Sequence, residues 1–382
     1  MESTISFGEL LKRFRKYHDY TQAETAKHLG YSEETIKSWE QGRRFPAREE
    51  VARLAGLMKM DAQEVKRAIQ LERSQTQLYK ASDKPLFNHD RLVLIENELF
   101  TRWDIYRTGG SRFAYRGLDL FVNAIENVVQ QAQESTRYHR TLASLSMSYQ
   151  LMGSIGSDLM AYSQAHASYT KAFKAAEQIQ DRELMAAALA RRGVTCIQQR
   201  RPKSALSFLE NAVTLVNDLP VIHLQSYIFK ALSEAHAMAH QADASLLNID
   251  LVEQVFEQHG EVLERSHCQV NLVSILAQKG VNAVLLGDYQ DAIAMINQSL
   301  VTYDHAFIRG RARLITQKAE AYFGLKQVEA CTGLAEEAYQ LAEAAGSRKT
   351  IERLQKLYAL LIRSRWRKET GAVRLGALLS IK

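Results

Sequence analysis

Residues 21–46 read TQAETAKHLGYSEETIKSWEQGRRFP, from Thr21 to Pro46. Thr21 with Glu24 three residues on has the pattern of a capping box, and Gly30 supplies a stop, so a short helix is expected between them. Ser32 then caps a second helix. Its first turn carries Glu33 and Glu34, where the helix dipole favours anions, and Gly42 ends it. Only a few residues are left for the turn between the two. Upstream, FGELLKRFRKY (Phe7 to Tyr17) places Phe7, Leu10, Leu11 and Phe14 at helical spacing, with Lys12, Arg13, Arg15 and Lys16 on the other faces. Downstream, Pro46 begins a fourth helix, AREEVARLAGLMK, and Asp61 caps a fifth, AQEVKRAIQ.

Two short helices joined by a tight turn, inside a small bundle, form the arrangement that presents the second helix to a DNA major groove. The ordered run Thr21-Gln22-Ala23, Ala26, Leu29-Gly30-Tyr31-Ser32, Ile36, Trp39-Glu40, Gly42-Arg43, Pro46, Leu54-Ala55 resembles the phage-repressor-type helix-turn-helix, the Cro/C1 or XRE family. The resemblance covers residues 6 to about 70 and implies a bacterial or phage DNA-binding domain that acts as a dimer on a two-fold site. Carried onto matching positions, it implies that Gln22 contacts a phosphate or base edge and that Glu33, Glu34 and Lys37 face the major groove. Trp39, Arg43 and Arg44 would touch the DNA backbone. Lys37 has the chemistry to donate to guanine O6 and N7, and either glutamate could accept from cytosine N4. Stabilising the helix N-terminus is an equally weighted role for the two glutamates. Residues 1–70 carry 13 Lys or Arg against 11 Asp or Glu, so affinity is expected to depend on dimerisation and on where those charges lie.

At 382 residues the chain is long enough for two or three units. Hydrophobic residues make up 46% and charged residues 24%, the balance of a globular protein, and only 4 prolines and 19 glycines punctuate it, which favours helices over a β fold. Cys196, Cys268 and Cys331 lie far apart with no CxxC pair, which fits a reducing compartment and argues against a disulfide framework or a zinc cluster. No targeting pattern is present, and the apolar stretch Val270 to Leu286 is interrupted by Gln278, Lys279 and Asn282. A cytoplasmic location without a membrane partner is expected.

From Leu71 to about Gln133 the pattern is less regular. Ser82-Asp83-Lys84-Pro85 and Thr108-Gly109-Gly110-Ser111 are turn clusters around a helix expected at His89 to Tyr106, and a further helix follows at Leu118 to Val129. Trp103 and Tyr106 read as packing residues.

Beyond residue 140 a small residue recurs at three places: Gly153, Ala165, Ala172; Gly193, Ala205, Ala212; Gly280, Ala292, Ser299; Ala319, Cys331, Ala338. Neighbouring copies are offset by 40 and 39 residues, and the 87-residue gap from Gly193 to Gly280 leaves room for a degenerate copy near Ala235. Small residues at these sites let antiparallel helices approach closely. The rhythm is similar to the tetratricopeptide repeat, with Tyr322 at the aromatic position of the last copy, although the period is longer than that repeat's usual one. The resemblance implies a right-handed α-solenoid whose concave face binds extended peptides or protein segments. On that template the first helix of each pair brings Gln150, Val194, Ile197, Val281, Val284, Arg313, Thr316, Glu320 and Phe323 to the concave face, with packing between repeats as an equal alternative for each. Arg313 and Glu320 are the candidates for holding a peptide terminus.

No Walker P-loop, no GxGxxG after a strand, no GxSxG elbow and no HExxH is present, so no enzyme and no cofactor are expected. His236 and His240 have metal-ligand spacing but no supporting cluster, and a surface or packing role is expected. Residues 346–382 carry ten Lys or Arg against two Glu. The stripe Ile351, Leu354, Leu357, Tyr358, Leu361 suits a helix capping the solenoid with a solvated basic face. A sharper alternative has the tail from Gly371 to Ile381 docking on its own or a partner solenoid.

The expected organisation is all-α: a helix-turn-helix domain at 1–72, a helical linker region at 73–139, repeats at 140–345, and a basic cap and tail at 346–382. In architecture the whole chain resembles the cytoplasmic peptide-pheromone receptors of Gram-positive bacteria, the group containing Rgg, PlcR, PrgX, NprR and the phage arbitrium receptor. That resemblance implies a homodimeric transcription regulator that binds double-stranded DNA and a short signalling peptide. A repeat scaffold recruiting a protein partner, or a regulator sensing a small molecule, are the alternatives.

Overall fold

The computed structural model describes residues 7–41, 43–58, 60, 62, 65, 66, 68, 69, 89–109, 111–131, 136–259, 271–303, 305 and 307–380, and all of their regular structure is helical. The expected stop at Gly42, the cap at Asp61, the cluster Ser82–Pro85, Gly110, Cys268 and the tail end at Ile381 lie outside the described residues. The chain divides into two compact units, one of Met1–Ile105 with Arg116–Ser144, the other of Tyr106–Tyr115 with Leu145–Lys382.

The first unit opens with α1 (Phe7–Tyr17), α2 (Gln22–Leu29), α3 (Glu33–Glu40) and α4 (Val51–Met58). Phe7, Leu10, Leu11, Phe14, Leu29, Ile36, Leu54 and Met58 close one core, which Val65, Ala68 and Ile69 join. The fourth helix begins later than Pro46. A 3-10 turn at Arg48–Glu50 precedes it, held where the Ala47 amide donates to Glu50 Oε2 at 3.0 Å. Then α5 (His89–Gly109) and α7 (Leu118–Gln131) follow, while α6 (Ser111–Tyr115) and the last turn of α5 belong to the second unit. Within this unit α5 carries an ion pair that composition does not reveal. Arg102 Nε donates to Glu98 Oε1 at 2.8 Å with both side chains at most 1% exposed, and Arg102 Nη1 reaches the carbonyl of Arg116 at 2.8 Å.

The second unit is a run of helix pairs: α8 (Thr136–Asp158) with α9 (Tyr162–Gln178), α10 (Arg182–Gln198) with α11 (Pro202–Val216), and α12 (Ile222–Met238) with α13 (Ala242–His259). Next come α14 (Leu272–Leu286) with α15 (Tyr289–Thr302), α16 (Ile308–Gly324) with α17 (Val328–Ala344), and then α18 (Arg348–Arg363) and α19 (Thr370–Ser380). The long period has a plain origin. Helices of 17 residues end in a residue of left-handed backbone, Gln180 (φ 53), Arg200 (φ 59), His240 (φ 57) or Lys326 (φ 63), and the next helix begins within two residues. The amide after each such residue returns to a carbonyl five residues back, as in Arg201 to Cys196 at 2.9 Å and Gln327 to Tyr322 at 2.9 Å, the Schellman closure.

Inside each pair the small residues do what their spacing implies. A Cβ on Gly153 would lie 2.5 Å from the Tyr169 ring, on Gly193 2.7 Å from Leu209 Cγ, and on Gly280 2.6 Å from Ile296 Cγ1, each partner sixteen positions on. Ala165, Ala172, Ala205, Ala212, Ala292, Ser299, Ala319, Cys331 and Ala338 are fully buried. The degenerate copy is in register at Ser233, Ser245 and Val252, two positions before Ala235, and the Ser245 hydroxyl donates to the Ser233 carbonyl at 2.9 Å. Two hydroxyls there replace the small apolar residues, which is why the pattern is weak in sequence.

At the end of the chain, Leu375 and Leu379 of α19 share a core with Leu354, Leu357 and Leu361 of α18 and Ala335 and Ala338 of α17, so α19 packs on its own unit. Cys196 and Cys331 are buried free thiols, and burial pushes the Cys331 thiol up to about 12.

Gly153→Ala is expected to destabilise the second unit by about 1–3 kcal/mol, because the buried Tyr169 ring has nowhere to go. Gly333→Ala on exposed α17 surface, where a Cβ meets nothing within 4 Å, is expected to stabilise it by about 0.5–1 kcal/mol. Urea-unfolding midpoints of the two variants check both signs.

Candidate functional site

In the first unit the sequence signals build the helix-turn-helix directly. Thr21 Oγ1 accepts from the Glu24 amide at 3.2 Å while Glu24 Oε2 accepts from the Thr21 amide at 2.7 Å, and Gly30 takes the left-handed conformation (φ 76) that ends α2. Ser32 caps α3 by accepting from the Thr35 amide at 3.2 Å. Glu33, Glu34 and Lys37 stand exposed along α3, and Arg43 and Arg44 are exposed just beyond it. What sets the angle of α3 is Glu40, whose side chain is 2% exposed. It accepts Arg15 Nε of α1 at 2.7 Å and Gln22 Nε2 of α2 at 2.7 Å, so one carboxylate joins three helices.

This packing gives partners within the domain itself to two of the residues expected at DNA. Trp39 is 3% exposed and belongs to the core, its ring 5.7 Å from Phe7 and 4.6 Å from Tyr31, so it does not present itself to a backbone phosphate. Gln22, half-buried, gives one amide N–H to Glu40.

In the second unit two adjoining cavities, of about 110 and about 200 Å3, share Val194, Glu234 and Arg313. The first draws its walls from α9 (Tyr162), α10 (Val194, Ile197), α12 (Glu234, Met238), α14 (Leu285), α16 (Arg313, Thr316) and α18 (Lys349, Arg353, Lys356), together with Arg200 from the turn after α10. The second adds Tyr227, Ser274, Gln278 and Val281. Helices remote in the chain meet here where Asp158 at the end of α8, 1% exposed, forms an ion pair with Lys349 Nζ at 3.3 Å and accepts from Arg309 Nη1 at 3.5 Å. Its Oδ2 also accepts from the Ser111 hydroxyl. Burial alone would raise this carboxyl, yet Lys349, Arg309 and Ser111 together hold it below the usual carboxylate range.

Glu234 is a second such centre. It accepts Arg313 Nη2 at 2.7 Å and Gln278 Nε2 at 3.1 Å, and Gln278 continues to Asn282 and Ser233 through bonds of 2.9 and 3.0 Å. Burial would raise its carboxyl as well, and Arg313, Gln278 and the more distant Arg353 lower it further than burial raises it. Arg353 itself clasps Glu320 through two bonds of 2.6 and 2.5 Å.

The residues expected on a concave face therefore separate. Val194, Ile197, Val281, Arg313 and Thr316 line the cavities. Gln150 does not: it is buried and accepts Arg191 Nε at 3.1 Å. Val284 packs beside Val281, Ile296 and Leu314, and Phe323 packs edge-on against Trp366 at 5.8 Å. Glu320 pairs with Arg353 and Arg313 with Glu234, so each of these charges has a partner within the unit. Sequence reasoning missed Glu234, Arg200, Lys349 and Arg353. The first sits in the degenerate repeat, and the last two belong to a basic segment that reads as solvated surface. His236 pairs with its neighbour Gln241 at 2.7 Å, and among the described residues no group of three potential metal ligands occurs. Nor is any described helix long and apolar enough to cross a membrane.

Residues 6–68 match the family described as a helix-turn-helix domain. No curated protein is significantly similar to the chain in sequence. Among solved structures, the chain is similar in fold to aspartyl phosphate phosphatase F from Bacillus subtilis, with a TM-score of 0.52 at 14% identity over 90% of this chain and 96% of that one. The likeness is one of fold. PlcR from Bacillus thuringiensis, solved with the peptide PapR7 and DNA, aligns over 93% of this chain and 99% of its own at 13% identity with a TM-score of 0.32. The chain thus joins a helix-turn-helix domain to an α-helical repeat unit.

Asp158 and Glu234 have carboxyls depressed in the folded chain, so the unfolded chain takes up protons first on acidification. Their contribution is present in full above the unfolded values, near 4, and is lost as pH falls toward the folded ones. Between pH 6 and 3 the unfolding free energy of the native protein should fall more steeply than that of Asp158→Asn or Glu234→Gln. Glu40→Ala is expected to cost the first unit about 1–3 kcal/mol, since it strands Arg15 and Gln22 beside an apolar core. Far-ultraviolet circular dichroism under urea measures both.

Proposed function

We propose that this protein is a cytoplasmic transcription regulator that binds double-stranded DNA as a homodimer through residues 6–68, and that its repeat unit binds a short peptide which alters DNA binding. The DNA half of the reading is carried by α3. Its outward row of Glu33, Glu34 and Lys37 is flanked by exposed Arg43 and Arg44, on a scaffold locked by Glu40. Glu33, Glu34 and Lys37 take the base-edge roles, Arg43 and Arg44 the phosphate roles, while Gln22 buttresses α3 through Glu40. A dimer is favoured because the first seventy residues hold too small a charge excess for tight binding by one copy.

The peptide half rests on the cavities, which mix apolar walls (Val194, Ile197, Met238, Leu285) with amide and charged groups (Gln278, Glu234, Arg313). That mixture suits side chains entering apolar space while a peptide backbone meets fixed polar groups. Such a ligand changes DNA binding only if it prefers one of two arrangements of the dimer.

Selection of random duplexes by the full chain should yield a common, two-fold-related sequence. Lys37→Ala should then relax preference at one position by about 1–3 kcal/mol, whereas Arg44→Ala should weaken all sequences alike and lower the salt slope by about 1. If the retained duplexes share no sequence, the regulator reading fails. A pool of short peptides should contain members that change duplex affinity by about 5–150-fold. If every peptide that binds leaves duplex affinity unchanged, coupling is absent.

A further inference from the structure

The cations around the first cavity are not evenly matched. Arg313 is paired with Glu234, Arg353 with Glu320 and Lys356 with Glu352. Arg200, by contrast, has no ion pair among the described residues, and Lys349 must share Asp158 with Arg309. Two positive charges are therefore left over in one cavity. Both groups register the imbalance. Burial, then repulsion from Arg353, lower the Arg200 guanidinium, and Glu320 and Glu234 only partly oppose them. Burial also lowers the Lys349 ammonium, Arg309 and Arg313 push it the same way, and Asp158 does not restore it. Arg200 stands exposed at the rim of the cavity and Lys349 half-buried in its wall, so the unmatched positive charge faces the space that an anion would enter. Apolar Val194, Ile197, Met238 and Leu285 stand beside these cations, so the entering group belongs to a molecule with an apolar body.

We infer that this cavity receives a dianionic group that engages Arg200 and Lys349, both of which line it. Two chemistries share that description: a pair of neighbouring carboxylates, as where a peptide ends in an acidic residue, and a phosphate monoester. The inference deepens the peptide reading given above, since the first source makes the ligand a peptide with an acidic C-terminus.

The test uses the full chain in calorimetric titrations. One arm adds inorganic phosphate against chloride at matched ionic strength. The other adds hexapeptides that differ only at the last residue: aspartic acid with a free carboxylate, the same residue amidated, and leucine with a free carboxylate. At least one arm should show binding that Arg200→Gln reduces about tenfold or more, the loss expected for one charge-assisted contact. Arg200 lacks an ion pair to lose, so this variant is expected to fold. Lys349→Gln should do the same and Lys349→Arg should recover most of it, while Lys203→Gln on exposed α11 surface should change nothing. Binding of the acidic-ended peptide alone identifies the dicarboxylate source, and binding of phosphate alone identifies the monoester. Peptides that bind equally whatever their last residue, with Arg200→Gln unaffected, overturn the dianion and leave the peptide reading standing. Phosphate binding lost in Arg200→Gln with no peptide binding does the reverse. Failure of both arms overturns both.

Discussion

A carboxylate at 1% exposure has to be surrounded by positive charge, and Asp158 finds its cations on α16 and α18, more than 150 residues further along the chain. Removing such a charge from water costs several kcal/mol, and only close partners with good geometry offset that. The rest of the second unit's interior depends on this meeting. It brings Tyr162 from α9 and Lys349 and Arg353 from α18 into the walls of one cavity, which a straight run of helix pairs would leave apart. The same ion group leaves Lys349 only partly neutralised, so the interaction that assembles the cavity also gives it its sign.

The two units use a buried and a half-buried carboxylate in a similar manner. Glu40 joins α1, α2 and α3, and Glu234 joins α12, α14 and α16. In each case a hydrogen-bonded charge in a mostly apolar surrounding has few alternative arrangements that satisfy it, which fixes the angle between helices more narrowly than apolar packing does. For the helix-turn-helix this means that α3 presents Glu33, Glu34 and Lys37 from a rigid base. For the repeats it means that the polar lining of the cavities is held by side chains that are themselves held.

Local signals were legible in the sequence wherever neighbours in the chain are neighbours in space. The Thr21 and Glu24 capping box, the Gly30 stop and the Ser32 cap all lie within one helical turn of what they bond. The small-residue rhythm was equally legible, because Gly153, Gly193 and Gly280 face partners at one constant spacing. It failed at Ser233, where the space is kept by a hydroxyl that finds its own hydrogen-bond partner, Asn282. Trp39 was misplaced because an aromatic residue on a short amphipathic helix suits either a core or a surface, and only the positions of Phe7 and Tyr31 decide between them. The partners of Glu320 and Gln150 were not legible for a related reason: Arg353 and Arg191 are 33 and 41 residues away.

The opening stretch from Thr21 to Pro46 thus determined by itself that the chain begins with a helix-turn-helix, and the repeated glycines and alanines determined that helix pairs follow, because both depend on contacts of short, regular separation. The basic charge of the last 37 residues could be counted in the sequence but not interpreted there. That Lys349 and Arg353 are drawn half-buried into a cavity wall, while Lys356 at the same rim stays exposed, was decided only by tertiary structure. The curvature that brings α18 back to α8 is a sum of small rotations over five helix pairs, and no local pattern of residues encodes such a sum.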